Sequence, residues 1–120
     1  MKTVLSVDDS ASIRQMVKMT LDGAGYTVLE AADGAQGLAQ ARSKTVDVII
    51  TDLNMPVMDG MTFVKELRKL PAYLGVPILL LTTESDAAKK AQAKAAGATG
   101  WITKPFQPQQ LLDTLKKVIG

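Results

Sequence analysis

The chain contains neither cysteine nor histidine, and these two absences remove much of ordinary enzyme chemistry. Without cysteine there is no disulfide, no thiol nucleophile and no zinc–thiolate centre. Without histidine there is no imidazole general base, no phosphohistidine on this chain and no hydrolytic triad of the usual kind. Long apolar runs are missing too: none approaches the ~20 residues needed to span a bilayer. The start, Met1-Lys2-Thr3, leads into a strand-like run that stops at a charged pair, which makes a poor signal peptide. A net charge of +2 is too weak to argue for nucleic acid or an anionic membrane. Nothing argues for export, so a cytoplasmic compartment is expected. What remains for chemistry is carboxylate, hydroxyl, amine and a hard metal ion.

At 120 residues, 47% hydrophobic and 22% charged, the sequence fits one soluble domain with its own core. Strand patterns alternate with helix patterns along it. Strands are predicted at Val4–Val7, Tyr26–Ala31, Val46–Thr51, Pro77–Leu81 and Gly100–Thr103. The first helix places Ile13, Met16, Val17, Thr20, Leu21 and Ala24 on one face, with Ser10 or Ser12 as cap and Gly25 beyond its end. Further helices are predicted over Gly34–Arg42, through Met61, Val64, Leu67 and Leu70, over Asp86–Ala96 and over Pro108–Ile119. A loop through Pro71 and Gly75 precedes the fourth strand. Three of the strands are nearly unbroken apolar runs, the pattern of strands buried on both faces. The expected fold is therefore α/β, a doubly wound parallel sheet with helices on either side, in a single domain over residues 1–120.

The strand ends carry the chemistry. Val4–Val7 runs into Asp8-Asp9, the third strand into Asp52, the fourth into Thr82-Thr83 and the fifth into Lys104-Pro105. In a parallel sheet these ends share one edge, where open α/β sheets place their ligands. Three carboxylates, a hydroxyl and an ammonium there suit a divalent cation and a phosphoryl group. Taken singly, each residue has a plainer reading. Asp8-Asp9 serves equally as a helix-capping pair, Lys104 as a solvated lysine, Thr82 as an ordinary strand end and Trp101 as core.

Together, Asp8-Asp9, Asp52-Leu53-Asn54-Met55-Pro56 with Asp59-Gly60, Thr82 and Lys104-Pro105-Phe106 resemble the receiver domain of two-component response regulators. The resemblance covers the whole chain and is strongest to the CheY-like, stand-alone chemotaxis type without an effector domain. It implies the flavodoxin-like strand order 2-1-3-4-5 and a cis Lys104–Pro105 peptide. It also implies a phosphoacceptor switch and not an enzyme, with Asp52 accepting phosphate from a histidine kinase (CheA-like) or a phosphorelay protein. Mg²⁺ (or Mn²⁺) is expected on Asp9, Asp52 and the Asn54 backbone carbonyl, with Asp8 acting through water. Lys104 is expected on a phosphoryl oxygen, Thr82 and Trp101 in the switch, and Asn54 and Glu84 in setting the acyl-phosphate lifetime. The expected downstream partner is a protein such as a motor switch component, met through the fourth helix, fifth strand and fifth helix of a monomer.

Two positions depart from the commonest family pattern. Trp101 stands where Tyr or Phe is usual, which puts a simple aromatic flip in question, and Thr83 stands where Ala or Gly is frequent. Met55, Met58 and Met61 either line the core or dock a kinase. Two other function classes stay open on the residues alone. One is an aspartate-nucleophile phosphatase or phosphotransferase, although Asn54 occupies the place where such enzymes carry an acid. The other is a flavodoxin-type electron carrier, although no flavin-phosphate loop follows the first strand.

Overall fold

The computed structural model describes residues 2–83 and 87–119. Five strands, β1 (Thr3–Val7), β2 (Thr27–Ala31), β3 (Val48–Asp52), β4 (Ile78–Thr82) and β5 (Gly100–Thr103), alternate with five helices. These are α1 (Ala11–Gly23), α2 (Gly34–Ser43), α3 (Gly60–Leu67), α4 (Ala87–Ala96) and α5 (Pro108–Ile119). All strand pairs are parallel, in the order β2-β1-β3-β4-β5. The expected flavodoxin-like doubly wound sheet is what the chain forms.

The two-residue period of a strand divides the core in two. Leu5, Val7, Ile49, Ile78 and Leu80 point to one face, where they meet Leu38 of α2, Phe63 and Leu67 of α3 and Ala93 of α4. Val4, Val48, Ile50, Leu79 and Leu81 point to the other, against Val17 and Leu21 of α1 and Leu111 and Leu115 of α5. Every residue of β3 and β4 is buried, whereas the edge strands β2 and β5 are partly open. No helix among the described residues is long and apolar enough to cross a membrane.

The differences from the sequence-based expectations are local. Met16 and Ala24 are exposed, so the buried stripe of α1 narrows to Val17 and Leu21. Phe63 of α3, which lies off the stripe expected through Met61, Val64 and Leu67, is fully buried. The loop after α3 contains a short 3-10 turn, Pro71–Tyr73. Strand β3 starts two residues late because the Asp47 carboxylate accepts from Thr3 N at 2.7 Å, ahead of the ladder.

Candidate functional site

Register brings the site together. Val7 pairs with Thr51, Asp52 with Leu81 and Thr82 with Thr103. Asp8, Asp52, Thr82 and Lys104 therefore sit on neighbouring strand ends. Lys104 N also donates to the Thr82 carbonyl at 2.8 Å, and the Lys104–Pro105 peptide is cis.

Asp8, Asp9 and Asp52 each offer a carboxylate oxygen within 4.8 Å of the others. Between two of them lies Lys104 Nζ, 3.1 Å from Asp8 Oδ2 and 3.3 Å from Asp52 Oδ1. Asp8 and Asp52 are buried, Asp9 is exposed and Lys104 is half-buried. Like charges at ~4 Å repel by roughly 4 kcal/mol even at an effective dielectric of 20. Burial, reinforced by the Asp8 charge, pushes the Asp52 carboxyl above its ordinary value, and Lys104 and Leu53 N only partly oppose this. Three ionised carboxylates and one ammonium leave a formal charge of −2, which one divalent cation would cancel. An all-oxygen, multi-carboxylate set fits a hard cation of the Mg²⁺ or Mn²⁺ type.

The two oxygens of Asp52 are not equivalent. Oδ1 accepts from Leu53 N at 2.8 Å and meets Lys104. Oδ2 receives no hydrogen bond among the described residues and is the oxygen left for a cation or an electrophile. Asp8 is more fully engaged, since Oδ1 accepts from Ser10 N at 2.9 Å while Oδ2 holds Lys104. The N-cap of α1 is Ser10, whose hydroxyl accepts from Ile13 N, so capping does not occupy Asp9.

Asp59 caps α3 through Thr62 N at 2.8 Å. Gly60 follows because the helix starts hard against the site: a Cβ there would lie 2.2 Å from the Asp52 carbonyl oxygen. The Asp59-Gly60 pair thus seats α3 beneath Asp52, a structural job that the motif alone does not reveal. In the same loop Val57 has φ +68°, a left-handed conformation that is costly for a β-branched residue. No sequence signal marks it. Asn54 is exposed two positions after Asp52, while Met55, Met58 and Met61 are half-buried against the core beneath α3.

Thr82 is buried at the end of β4 and shares a small apolar hollow with Leu53, Leu80, Lys90, Ala93 and Trp101. Trp101 is 36% exposed, with Lys90 Nζ 4.8 Å from its ring centroid, a cation–π contact. Thr83 is exposed. Glu84 lies outside the described residues. Asp8, Asp9, Asp52, Lys104 and Thr82 therefore converge at one edge, Asn54 follows two residues after Asp52, and Trp101 lines the hollow that Thr82 also lines.

A family model for the response regulator receiver domain matches residues 4–116. A chemotaxis protein CheY homolog of Campylobacter jejuni is 40% identical over 119 residues, covering 98% of this chain and 92% of the relative. Chemotaxis protein CheY1 of Helicobacter pylori is also 40% identical, with 98% of this chain and 96% of that protein covered. The solved structure of the Vibrio cholerae chemotaxis protein CheY4 superposes with a TM-score of 0.96 at 57% identity, covering 98% of both chains. With its sheet order, its acidic cluster and these likenesses in agreement, the chain belongs to the response regulator receiver domain family.

Proposed function

We propose that this receiver is a cytoplasmic switch of chemotaxis or motility signalling, phosphorylated on Asp52 by a histidine kinase or phosphorelay protein. The observation that carries the reading is the Lys104 ammonium wedged between Asp8 and Asp52, with Asp9 completing a three-carboxylate cluster. Asp9, Asp52 and the Asn54 carbonyl would hold Mg²⁺ directly, and Asp8 would hold it through water. Bound there, the ion would offset the negative charge of the acids and of an incoming phosphoryl group.

Asp52 Oδ2 is then the nucleophile. Its bond to phosphorus forms as the phosphorus–nitrogen bond of a donor phosphohistidine breaks, and the electron pair leaves with that nitrogen. Lys104 shifts from the carboxylate to a phosphoryl oxygen, acting as a point charge. The Thr82 hydroxyl turns to donate to the phosphate, which biases the chain towards its second state. Asn54 and Glu84 tune the phosphate lifetime.

Output passes through α4, β5 and α5 to a partner such as a motor component. Helix α4 suits this role because Ala93 is its one buried side chain among those described, so it opens at little cost.

Intact-mass measurement after treatment with acetyl phosphate and Mg²⁺ tests the reading. Wild type should gain one phosphoryl group and Asp52→Asn none. Equal labelling of both proteins would remove Asp52 from the role, and steady turnover of phosphomonoesters would mark an enzyme instead.

A further inference from the structure

Asp9 poses a positioning problem that its own side chain does not solve. It is exposed, and among the described residues no hydrogen bond reaches its carboxylate, yet an oxygen lies within 4.8 Å of those of Asp8 and Asp52. Its direction must come from the backbone. The Asp8 carbonyl belongs to the same planar peptide unit as the Asp9 nitrogen and Cα, so whatever holds that carbonyl aims Asp9.

The group holding it is Arg14. One guanidinium nitrogen, Nη1, donates to the Asp8 carbonyl. Nε lies 3.4 Å from the Glu30 carboxylate on β2. Arg14 itself is rooted in the first turn of α1, its N–H donating to the Ser10 carbonyl at 3.1 Å. On the other side of the same residue, Asp8 N donates to the Ala31 carbonyl at 3.1 Å. The guanidinium fork therefore clasps the end of β1 and the penultimate residue of β2 from the flank of α1.

We infer that Arg14, braced by Glu30, is a positioning residue for Asp9: it fixes the Asp8–Asp9 peptide so that the Asp9 carboxylate is set in place for a divalent cation. This rests on the metal reading proposed above. A purely structural role would make Arg14–Glu30 a partly exposed ion pair of small effect. A purely electrostatic role has the opposite sign, because deleting a cation beside an acidic cluster makes that cluster more attractive to metal. Positioning alone predicts weaker binding when the fork is lost. Lysine will not substitute, since one ammonium does not reproduce a planar fork that reaches carbonyl and carboxylate together.

Direct Mn²⁺ titration tests this, with free Mn²⁺ read by electron paramagnetic resonance and folding checked by thermal melts in chelator. Outer partners of a metal site typically contribute about 10-fold or more to affinity. Arg14→Ala and Arg14→Lys should each bind Mn²⁺ about 10-fold more weakly than wild type, and Glu30→Gln should lose a smaller factor in the same direction. Unchanged or tighter binding by a folded Arg14→Ala or Arg14→Lys protein overturns the inference while leaving the metal site intact. Failure of wild type to bind Mn²⁺ overturns the metal reading itself and this inference with it.

Discussion

At the edge where the strands begin, polar side chains close hydrogen bonds onto backbone; at the edge where they end, they crowd one another. Along the first edge, Tyr73 Oη lies 2.6 Å from the Ala41 carbonyl and 2.8 Å from that of Lys44. Thr99 Oγ1 accepts from Ile78 N at 3.0 Å. Arg68 donates to the Gly97 carbonyl from both Nε and Nη2, and to Val76 and Tyr73 from Nη1. That one guanidinium ties the end of α3 to the loop before β4 and to the exit of α4. Along the second edge, two buried carboxylates share an ammonium, a third stands exposed beside them, and Val57 is held left-handed. The first edge stabilises the sheet, while the second draws on that stability to keep charges close and the backbone strained. Helix α4 lies between, pinned by Arg68 at its finish and, among its described side chains, buried only through Ala93.

This contrast predicts opposite outcomes for substitutions at the two edges. The largest effect is expected from Asp52→Asn, which should abolish phosphorylation yet leave metal-free stability at neutral pH unchanged or raised. The sign follows from the raised Asp52 pKa. The native state holds this proton more tightly, so its contribution is full below the ordinary value of 3.8 and lost as pH rises through the folded value. The advantage of asparagine over aspartate, read from urea melts, should therefore grow from acid towards neutral pH; a constant difference would contradict the charge account.

At the opposite edge, Arg68→Ala should lower stability by about 2–3 kcal/mol, since several charged hydrogen bonds are lost together. Its extent of phosphorylation should be retained, as measured by mass. Tyr73→Phe should cost about 1 kcal/mol by stranding carbonyls that share the phenol. Similar in size but opposite in sign, Val57→Asn should stabilise by about 1 kcal/mol, because asparagine tolerates the left-handed region. Destabilisation by Val57→Asn would show that the loop is not strained where the geometry places the strain.

The fold was legible in the sequence because apolar runs mark β1, β3 and β4 and helical stripes separate them, and Asp8, Asp52, Thr82 and Lys104 each fall at or just past the end of a strand. Much of the site was legible for the same reason, since a parallel sheet carries strand-end residues to one edge. Phe63 escaped because it stands beside, not on, the stripe through Met61, Val64 and Leu67. Gly60 was visible only as half of a motif, since its closeness to the Asp52 carbonyl arises from how α3 docks. Arg14 gave no signal, because its acceptor is a main-chain oxygen and any helix carries arginines. The same holds for Arg68, whose acceptors are all carbonyls.

The central claim is that the end of the sheet gathers its acids around one cation beside Lys104 so that Asp52 can take a phosphoryl group. A crystal structure with Mg²⁺ and beryllium fluoride tests it most directly. The account predicts the fluoride adduct on Asp52 Oδ2, Lys104 and the Thr82 hydroxyl on its fluorines, and the metal on Asp9, Asp52 and the Asn54 carbonyl. An adduct on another residue, or a metal bound away from Asp9 and Asp52, would contradict it.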